Sequence, residues 1–83
     1  MDIAGLFDAT DAEQAALLAL VREAKDFLDE QSHPGGYNIG VNVGETAGQT
    51  VMHLHVHVIP RYAGDMADPR GGVRGVIPEK RRY

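Results

Sequence analysis

Three histidines alternate with apolar residues in the segment 51–60, VMHLHVHVIP, and imidazole is the side chain whose charge changes near neutral pH. On an extended strand His53, His55 and His57 project from one face, roughly 6.6 Å apart, while the apolar residues project from the other. Alternation at period two is typical of a half-buried strand. We therefore predict a strand over residues 51–59 that carries a row of imidazoles.

Such a row is compatible with three roles. His-x-His pairs on strands bind zinc, but a third ligand on a straight strand would stand about 13 Å from the first. One imidazole could instead be a nucleophile toward a phosphoryl-type group, with its neighbours orienting it and moving protons. The third role is purely structural packing, which is the usual role of a single histidine. Strict alternation of three, followed by Pro60-Arg61, favours a chemical role.

The residues before this segment contain polar groups that could serve the row. Residues 37–44, YNIGVNVG, alternate as well and predict a second strand. If the two strands pair antiparallel, Asn42 lies on the imidazole side. The connection 45–50, ETAGQT, is small and polar, and its glycine and amides could form a small anion nest beside the histidines.

A long helix and an irregular arm flank these strands. Thr10 and Glu13 form the sequence pattern of a capping box, and His33-Pro34-Gly35-Gly36 provides a stop, so the helix is predicted over residues 11–31. Apolar residues recur at helical spacing: Leu17, Leu20, Val21, Ala24, Phe27 and Leu28. The arm, residues 61–83, is expected to hold at most a short extended piece near 73–77 and to lie on a neighbour.

Composition limits the class of protein. With 83 residues the chain is one small domain with a modest core, and with no cysteine it contains neither disulfides nor thiolate metal sites. It has no apolar run of the ~18 residues that span a bilayer and no signal-peptide pattern, which predicts a cytoplasmic protein that makes no membrane contact.

Charge is distributed unevenly along the chain. Residues 1–57 hold nine acidic side chains against two basic ones, whereas residues 58–83 hold six basic against three acidic. A cationic arm beside the imidazoles would favour anionic ligands such as phosphates, although a basic run alone is more often a solvated tail. The net charge of −4 argues against a broad nucleic-acid-binding surface.

The segment 48–61, GQTVMHLHVHVIPR, resembles the signature of the histidine triad (HIT) superfamily of nucleotide hydrolases and transferases. Its continuation over 60–65, PRYAGD, is similar to the branch that hydrolyses dinucleoside polyphosphates. The resemblance implies an α+β fold in which one long helix packs on an antiparallel sheet. The family's upstream hairpin region, which supplies the base and ribose slot, is missing. Residues 1–83 are therefore expected to be the C-terminal part of a HIT domain, completed by dimerisation.

The resemblance also implies a role for each site residue. His55 would attack the α-phosphate to form a nucleotidyl-histidine, which water then hydrolyses. His53 would orient the nucleophile, and His57 would assist the leaving group. Phosphate contacts fall on four residues: Asn42, Gly48, Gln49 and Thr50. Histidine at position 57, where the transferase branch has glutamine, favours hydrolysis.

Three functions remain open at this stage. The first is a nucleotide hydrolase acting on a dinucleoside polyphosphate or a nucleotidyl conjugate, as a homodimer and without a required cofactor. The second is a nucleotide-binding remnant that lacks turnover because the base slot is lost. The third is a zinc-binding protein built on the histidine cluster, since a bound divalent metal is compatible with the row.

Overall fold

A computed structural model describes residues 3–81 as one long helix and a small antiparallel sheet. Helix α1 (Asp11–Ser32) precedes strands β1 (Gly36–Val41) and β2 (Val56–Arg61), which pair with each other. Short 3-10 helices occupy the connections: Leu6–Asp8, Glu45–Ala47, Gly72–Val76 and Pro78–Lys80. The predicted α+β class is confirmed. The predicted domain also includes Met1, Asp2, Arg82 and Tyr83, which lie outside the described residues.

Helix α1 begins and ends on specific hydrogen bonds. Thr10 Oγ1 accepts from the Glu13 amide at 3.1 Å, and Glu13 Oε1 accepts from the Thr10 amide at 2.8 Å. This reciprocal pair satisfies two donors that a helix start leaves open. His33 then adopts a left-handed conformation, φ 47°, and donates to the Asp29 carbonyl, which ends the helix one residue beyond the predicted end. No helix among residues 3–81 combines the length and apolar character that crossing a membrane requires.

The helix carries two apolar stripes, of which the sheet covers one. The residues at the covered stripe are half-buried: Leu17, Val21, Ala24 and Leu28. Sequence spacing groups Leu20 and Phe27 with them, but these side chains are 58% and 63% exposed. A two-stranded sheet is too narrow to cover both stripes, so Leu20 and Phe27 remain exposed. The apolar core is accordingly thin, and Ala9, at 8% exposed, is the one buried hydrophobic side chain among residues 3–81.

Tyr37 anchors the start of β1 to the end of the helix. Its hydroxyl donates to Asp29 Oδ1 at 2.6 Å, and the other oxygen of Asp29 accepts from Lys25 Nζ at 2.7 Å. The antiparallel register then places Tyr37 opposite Pro60 and Ile39 opposite Val58. Paired residues share a face, so Tyr37 and Ile39 lie on one face of the sheet and His57 lies on the other.

Both strands are shorter than predicted at their connecting ends. The predicted 51–59 strand pairs only from Val56, and extends to Arg61, whereas the predicted 37–44 strand runs from Gly36 to Val41. Pairing fails before Val56 because the His53 amide donates to the Val51 carbonyl in a tight turn, and the Leu54 amide donates to Ile3. The alternating burial nevertheless continues through this segment, with Leu54 half-buried and His55 exposed.

The arm folds back on itself instead of containing an extended piece. At most a short extended piece was expected near 73–77, and Gly72–Val76 forms a 3-10 helix there. The chain turns at Gly71, φ 89°, where a β-carbon would lie 1.8 Å from the Arg81 carbonyl oxygen. Arg81 holds this turn by donating to the carbonyls of Asp68 and Arg70. The arm lies on β1 of its own chain, where Gly72 approaches the Asn38 side chain.

Candidate active site

One cavity of about 320 Å³ brings together all seven residues that the sequence selects for the site. Its lining contains Asn42, Gly48, Gln49, Thr50, His53, His55 and His57, together with Val51. The residues come from the end of β1, the connecting loop and the start of β2. The connection therefore folds back over the histidine segment, and polar loop groups face the imidazoles.

The three imidazoles reach this cavity from different backbone settings. His57 belongs to β2, where it pairs with Gly40, so no side chain stands opposite it on that face. His55 directly precedes the strand, and His53 lies in the bend before it. The rings of His53 and His55 make an edge-to-face contact with centroids 5.5 Å apart and planes at 66°. All three residues are exposed.

Gln49 is buried beneath the cavity and closes the loop. Its Oε1 accepts from the Gly44 amide at 2.8 Å, and its own amide donates to the Gly44 carbonyl at 3.1 Å. Its Nε2 donates to the carbonyl of Ala4. The Gln49 carboxamide therefore supports the loop, a role that sequence reasoning missed because Ala4 lies 45 residues away along the chain.

Gly48 and its neighbours give the loop its shape. Gly48 has φ 96°, a value that suits glycine, and a β-carbon there would lie 3.7 Å from Asn42 Nδ2. Within the part of the chain that the structure describes, the backbone amides of Thr50 and Val51 donate no hydrogen bond. Both residues line the cavity and are exposed. Their amides are therefore available to an anionic ligand.

Arg61 and Asp65 form a turn that stabilises the far end of β2. Arg61 donates from Nε and Nη2 to the two Asp65 oxygens, both at 2.8 Å, and from Nη1 to Asn38 Oδ1 at 2.6 Å. The Arg61 guanidinium, then the Tyr62 amide, lowers the pKa of Asp65 to about 2. Sequence reasoning missed this positioning network, although the i, i+4 spacing of Arg61 and Asp65 was a usable signal.

A metal site built on the three histidines was the remaining alternative. Among residues 3–81, no group of three histidine, aspartate or glutamate side chains is arranged to hold a metal ion. The histidines instead follow one another along the chain, with two of their rings in edge-to-face contact.

Comparison with known proteins identifies the family. The model of the HIT domain family matches residues 1–64. The chain belongs to the HIT domain family. Among its relatives is a Mycobacterium tuberculosis protein named AP-4-A phosphorylase, 44% identical over 64 residues, which covers 76% of this chain and 33% of that protein. Another is the asymmetrical bis(5'-nucleosyl)-tetraphosphatase of Schizosaccharomyces pombe, 38% identical over 63 residues, covering 76% of this chain and 35% of the relative.

Two solved structures share this fold over most of the present chain. The C. elegans NitFhit protein superposes with a TM-score of 0.74 and 37% identity, covering 81% of this chain and 16% of that chain. A zinc-bound histidine triad family protein from Mycobacterium smegmatis superposes with a TM-score of 0.71 and 33% identity. The match covers 82% of this chain and 50% of that chain. The match of this chain spans about a third of the length of the two relatives named above.

Proposed function

We propose that this HIT protein hydrolyses a dinucleoside polyphosphate or a nucleotidyl conjugate through a nucleotide covalently bound to His55. The observation that carries the proposal is that one cavity is lined both by the three exposed histidines and by the loop residues Gly48, Gln49 and Thr50. The names of two relatives, a phosphorylase and a tetraphosphatase of dinucleoside tetraphosphates, support the substrate class.

The proposed reaction has two steps. A neutral imidazole nitrogen of His55 attacks the α-phosphorus, and the bond from that phosphorus to the bridging oxygen of the leaving group breaks. His57 gives a proton to that oxygen. His53, whose ring touches His55, keeps the nucleophile oriented. Water then attacks the same phosphorus, His57 takes its proton, and the nucleoside monophosphate leaves with His55 regenerated.

The loop provides the electrostatic part of the reaction. Negative charge grows on the α-phosphate oxygens during both steps, and donors already aimed at those oxygens stabilise it without reorganisation. The candidates are the backbone amides of Thr50 and Val51, which donate no hydrogen bond within residues 3–81, and the side chain of Asn42; all three residues line the cavity. In this scheme the protein groups alone perform the transfer, so we propose that no cofactor is required.

The acceptor in the second step could also be inorganic phosphate. The relative named AP-4-A phosphorylase favours this second candidate function. With water, diadenosine tetraphosphate yields AMP and ATP, whereas with phosphate it yields ADP and ATP. Product analysis in the presence and absence of phosphate therefore distinguishes the two acceptors.

We further propose that two copies form a symmetric dimer. The second apolar stripe of α1 exposes Leu20 and Phe27, and a two-stranded sheet leaves both of its edges open. Such edges and stripes are commonly covered by a partner, and closed two-fold symmetry is the commonest solution for identical chains.

Turnover assays with histidine variants test the proposed function. The purified chain is incubated with diadenosine tetraphosphate and with an adenosine phosphoramidate, and nucleotide products are separated. His55→Asn should lower AMP release at least about 10³-fold, on the scale of losing a catalytic nucleophile. His33→Asn is the matched control, because His33 ends α1 in a left-handed conformation that asparagine tolerates. Binding of AMP without turnover by the unaltered chain would instead establish a nucleotide-binding remnant.

A further inference from the structure

The best-buried region of the chain is the junction between the N-terminal segment, residues 3–9, and the loop that lines the histidine cavity. Among residues 3–81 three residues are buried, and all of them belong to that segment or to that loop: Gly5, Ala9 and Gln49. The residues of α1 and of both strands are half-buried at most. Burial is therefore greatest beside the candidate site and not between helix and sheet.

Two carbonyls of the N-terminal segment hold the bend 49–54 at both of its ends. The Ala4 carbonyl accepts from Gln49 Nε2 where the bend begins. The Ile3 carbonyl accepts from the Leu54 amide, at 2.7 Å, where the bend ends. Between these two points lie bend residues that line the histidine cavity: Thr50, Val51 and His53. The position of these residues therefore depends on the N-terminal segment.

The N-terminal segment is itself fastened to the first turn of α1. Asp8 closes its short turn, since Asp8 Oδ2 accepts from the Gly5 amide at 3.0 Å and the Asp8 amide donates to the Gly5 carbonyl at 3.1 Å. Half-buried Gln14 donates from Nε2 to the carbonyls of Leu6, at 3.2 Å, and Ala9, at 3.3 Å. Hydrogen bonds therefore connect α1, through the N-terminal segment, to the bend.

We propose that Gln14 is a positioning residue for the candidate site, because it fixes the segment that holds the bend. The backbone amides of Thr50 and Val51 donate no hydrogen bond within residues 3–81, so no bond of their own keeps them in place. Donors stabilise developing charge best when they are already aimed at it. The role of these two amides rests on the proposed function, whereas the anchoring of the bend by Gln14 does not.

Two substitutions separate this anchoring from a general effect on the helix. Gln14→Glu keeps the length of the side chain but turns a carboxylate toward two carbonyl oxygens, whereas Gln14→Lys keeps a donor. Position 14 is the fourth of α1, near the positive end of the helix dipole, which favours glutamate over lysine. Helix stability alone would therefore rank Gln14→Glu above Gln14→Lys. Anchoring of the bend ranks the two variants in the opposite order.

Steady-state kinetics with diadenosine tetraphosphate measure the effect on the site. Gln14→Glu should lower kcat about tenfold and change KM less than about twofold, because displaced donors lose contacts that matter most in the transition state. Gln14→Lys should restore most of the parent kcat. Ala15→Glu is the matched control, because it adds the same charge at the exposed neighbouring position and should leave kcat unchanged.

Hydrogen exchange followed by NMR measures the anchoring without turnover. The Leu54 amide, which donates to the Ile3 carbonyl, should exchange about tenfold faster in Gln14→Glu than in the parent chain. The amides that pair β1 with β2 should keep their exchange rates, since only the bend is released. Gln14→Lys and Ala15→Glu should both exchange like the parent chain.

Four outcomes decide the inference. Equal kcat for Gln14→Glu and Gln14→Lys would overturn it, as would equal acceleration of the Leu54 and sheet amides, which indicates a loss of overall stability. Turnover in every variant with unchanged Leu54 exchange would refute the anchoring and leave the proposed function intact. Faster Leu54 exchange in Gln14→Glu alone, in a chain without turnover, would support the anchoring and refute hydrolysis.

Discussion

Gln49 and Gly44 bind each other twice, side chain to backbone and backbone to backbone, and so close the loop that faces the histidines. The Gly44 amide donates to Gln49 Oε1 at 2.8 Å, and the Gln49 amide donates to the Gly44 carbonyl at 3.1 Å. Gln49 is 8% exposed, and its remaining donor reaches Ala4. One buried side chain therefore couples the loop to the N-terminal segment.

Gln49→Ala should weaken both stability and activity. The substitution leaves the part-buried Gly44 amide without its acceptor, which costs about 1–3 kcal/mol of unfolding free energy. It also frees the loop that carries Thr50, so kcat/KM should fall more than the stability loss explains at a temperature where the variant is folded. Urea denaturation and steady-state kinetics measure the two effects. Gln31→Ala, at an exposed position near the end of α1, is the control; an equal loss there would contradict the account.

Thr10→Ala should destabilise the protein through the start of α1. The hydroxyl that accepts from the Glu13 amide is lost, and removal of such a cap costs about 1 kcal/mol. Thr10→Ser keeps the hydroxyl and should retain most of the stability. Thermal or urea unfolding followed by circular dichroism measures the difference, and equal stability of the two variants would show that the cap contributes nothing.

The fold could be predicted from the sequence wherever a local pattern determined it. The capping box at Thr10 and the stop after His33 bounded α1 to within one residue, and alternating residues located both strands. The strand ends could not be read, because the Leu54 amide pairs with Ile3 and the His53 amide turns back to Val51. Side-chain periodicity does not indicate which carbonyl a backbone amide binds, so it could not locate the strand ends.

The candidate site was likewise predictable where a local pattern determined it and not where long-range hydrogen bonds did. The residues selected by spacing and family resemblance do line one cavity, because alternation keeps His55 and His57 exposed even where pairing stops. The support beneath them was missed. Gln49 binding Ala4, and Asn38 binding Arg61, connect residues 45 and 23 positions apart, and no local pattern encodes such pairs.

Asp65→Asn should remove part of the acid sensitivity of folding. The pKa of Asp65 is lowered to about 2 in the folded chain, first by Arg61, against about 3.9 for an unperturbed aspartate. The folded state therefore binds the proton less readily than the unfolded state. The stability that Arg61 and Asp65 contribute is complete above about pH 4 and is lost as pH falls toward about 2.

Unfolding free energies measured across this range test the ion pair. The Asp65→Asn variant should be less stable than the parent chain near neutral pH. The difference in unfolding free energy between the two should shrink as the medium becomes acidic. Glu30→Gln, at an exposed carboxylate on α1, should not reproduce that closing gap. A gap that stays constant with pH would contradict the assignment.

Leu20→Glu should shift the proposed dimer to monomer. The substitution places a charge in the exposed apolar stripe with Phe27, where burial against a partner would require its desolvation. Ala15→Glu adds the same charge roughly 140° around the helix and should leave association unchanged. Sedimentation at micromolar concentration measures both, and a parent chain that is a folded monomer would refute the dimer.

The covalent intermediate is the most direct test of the central claim. The chain is mixed with excess diadenosine tetraphosphate, quenched in alkali because a phosphorus–nitrogen bond to histidine is labile to acid, and analysed by intact and peptide mass spectrometry. We predict one adenylyl group on the protein, located on His55 and absent from the His55→Asn variant. Release of AMP with no adduct on the protein, or with the adduct on His53 or His57, would contradict the account.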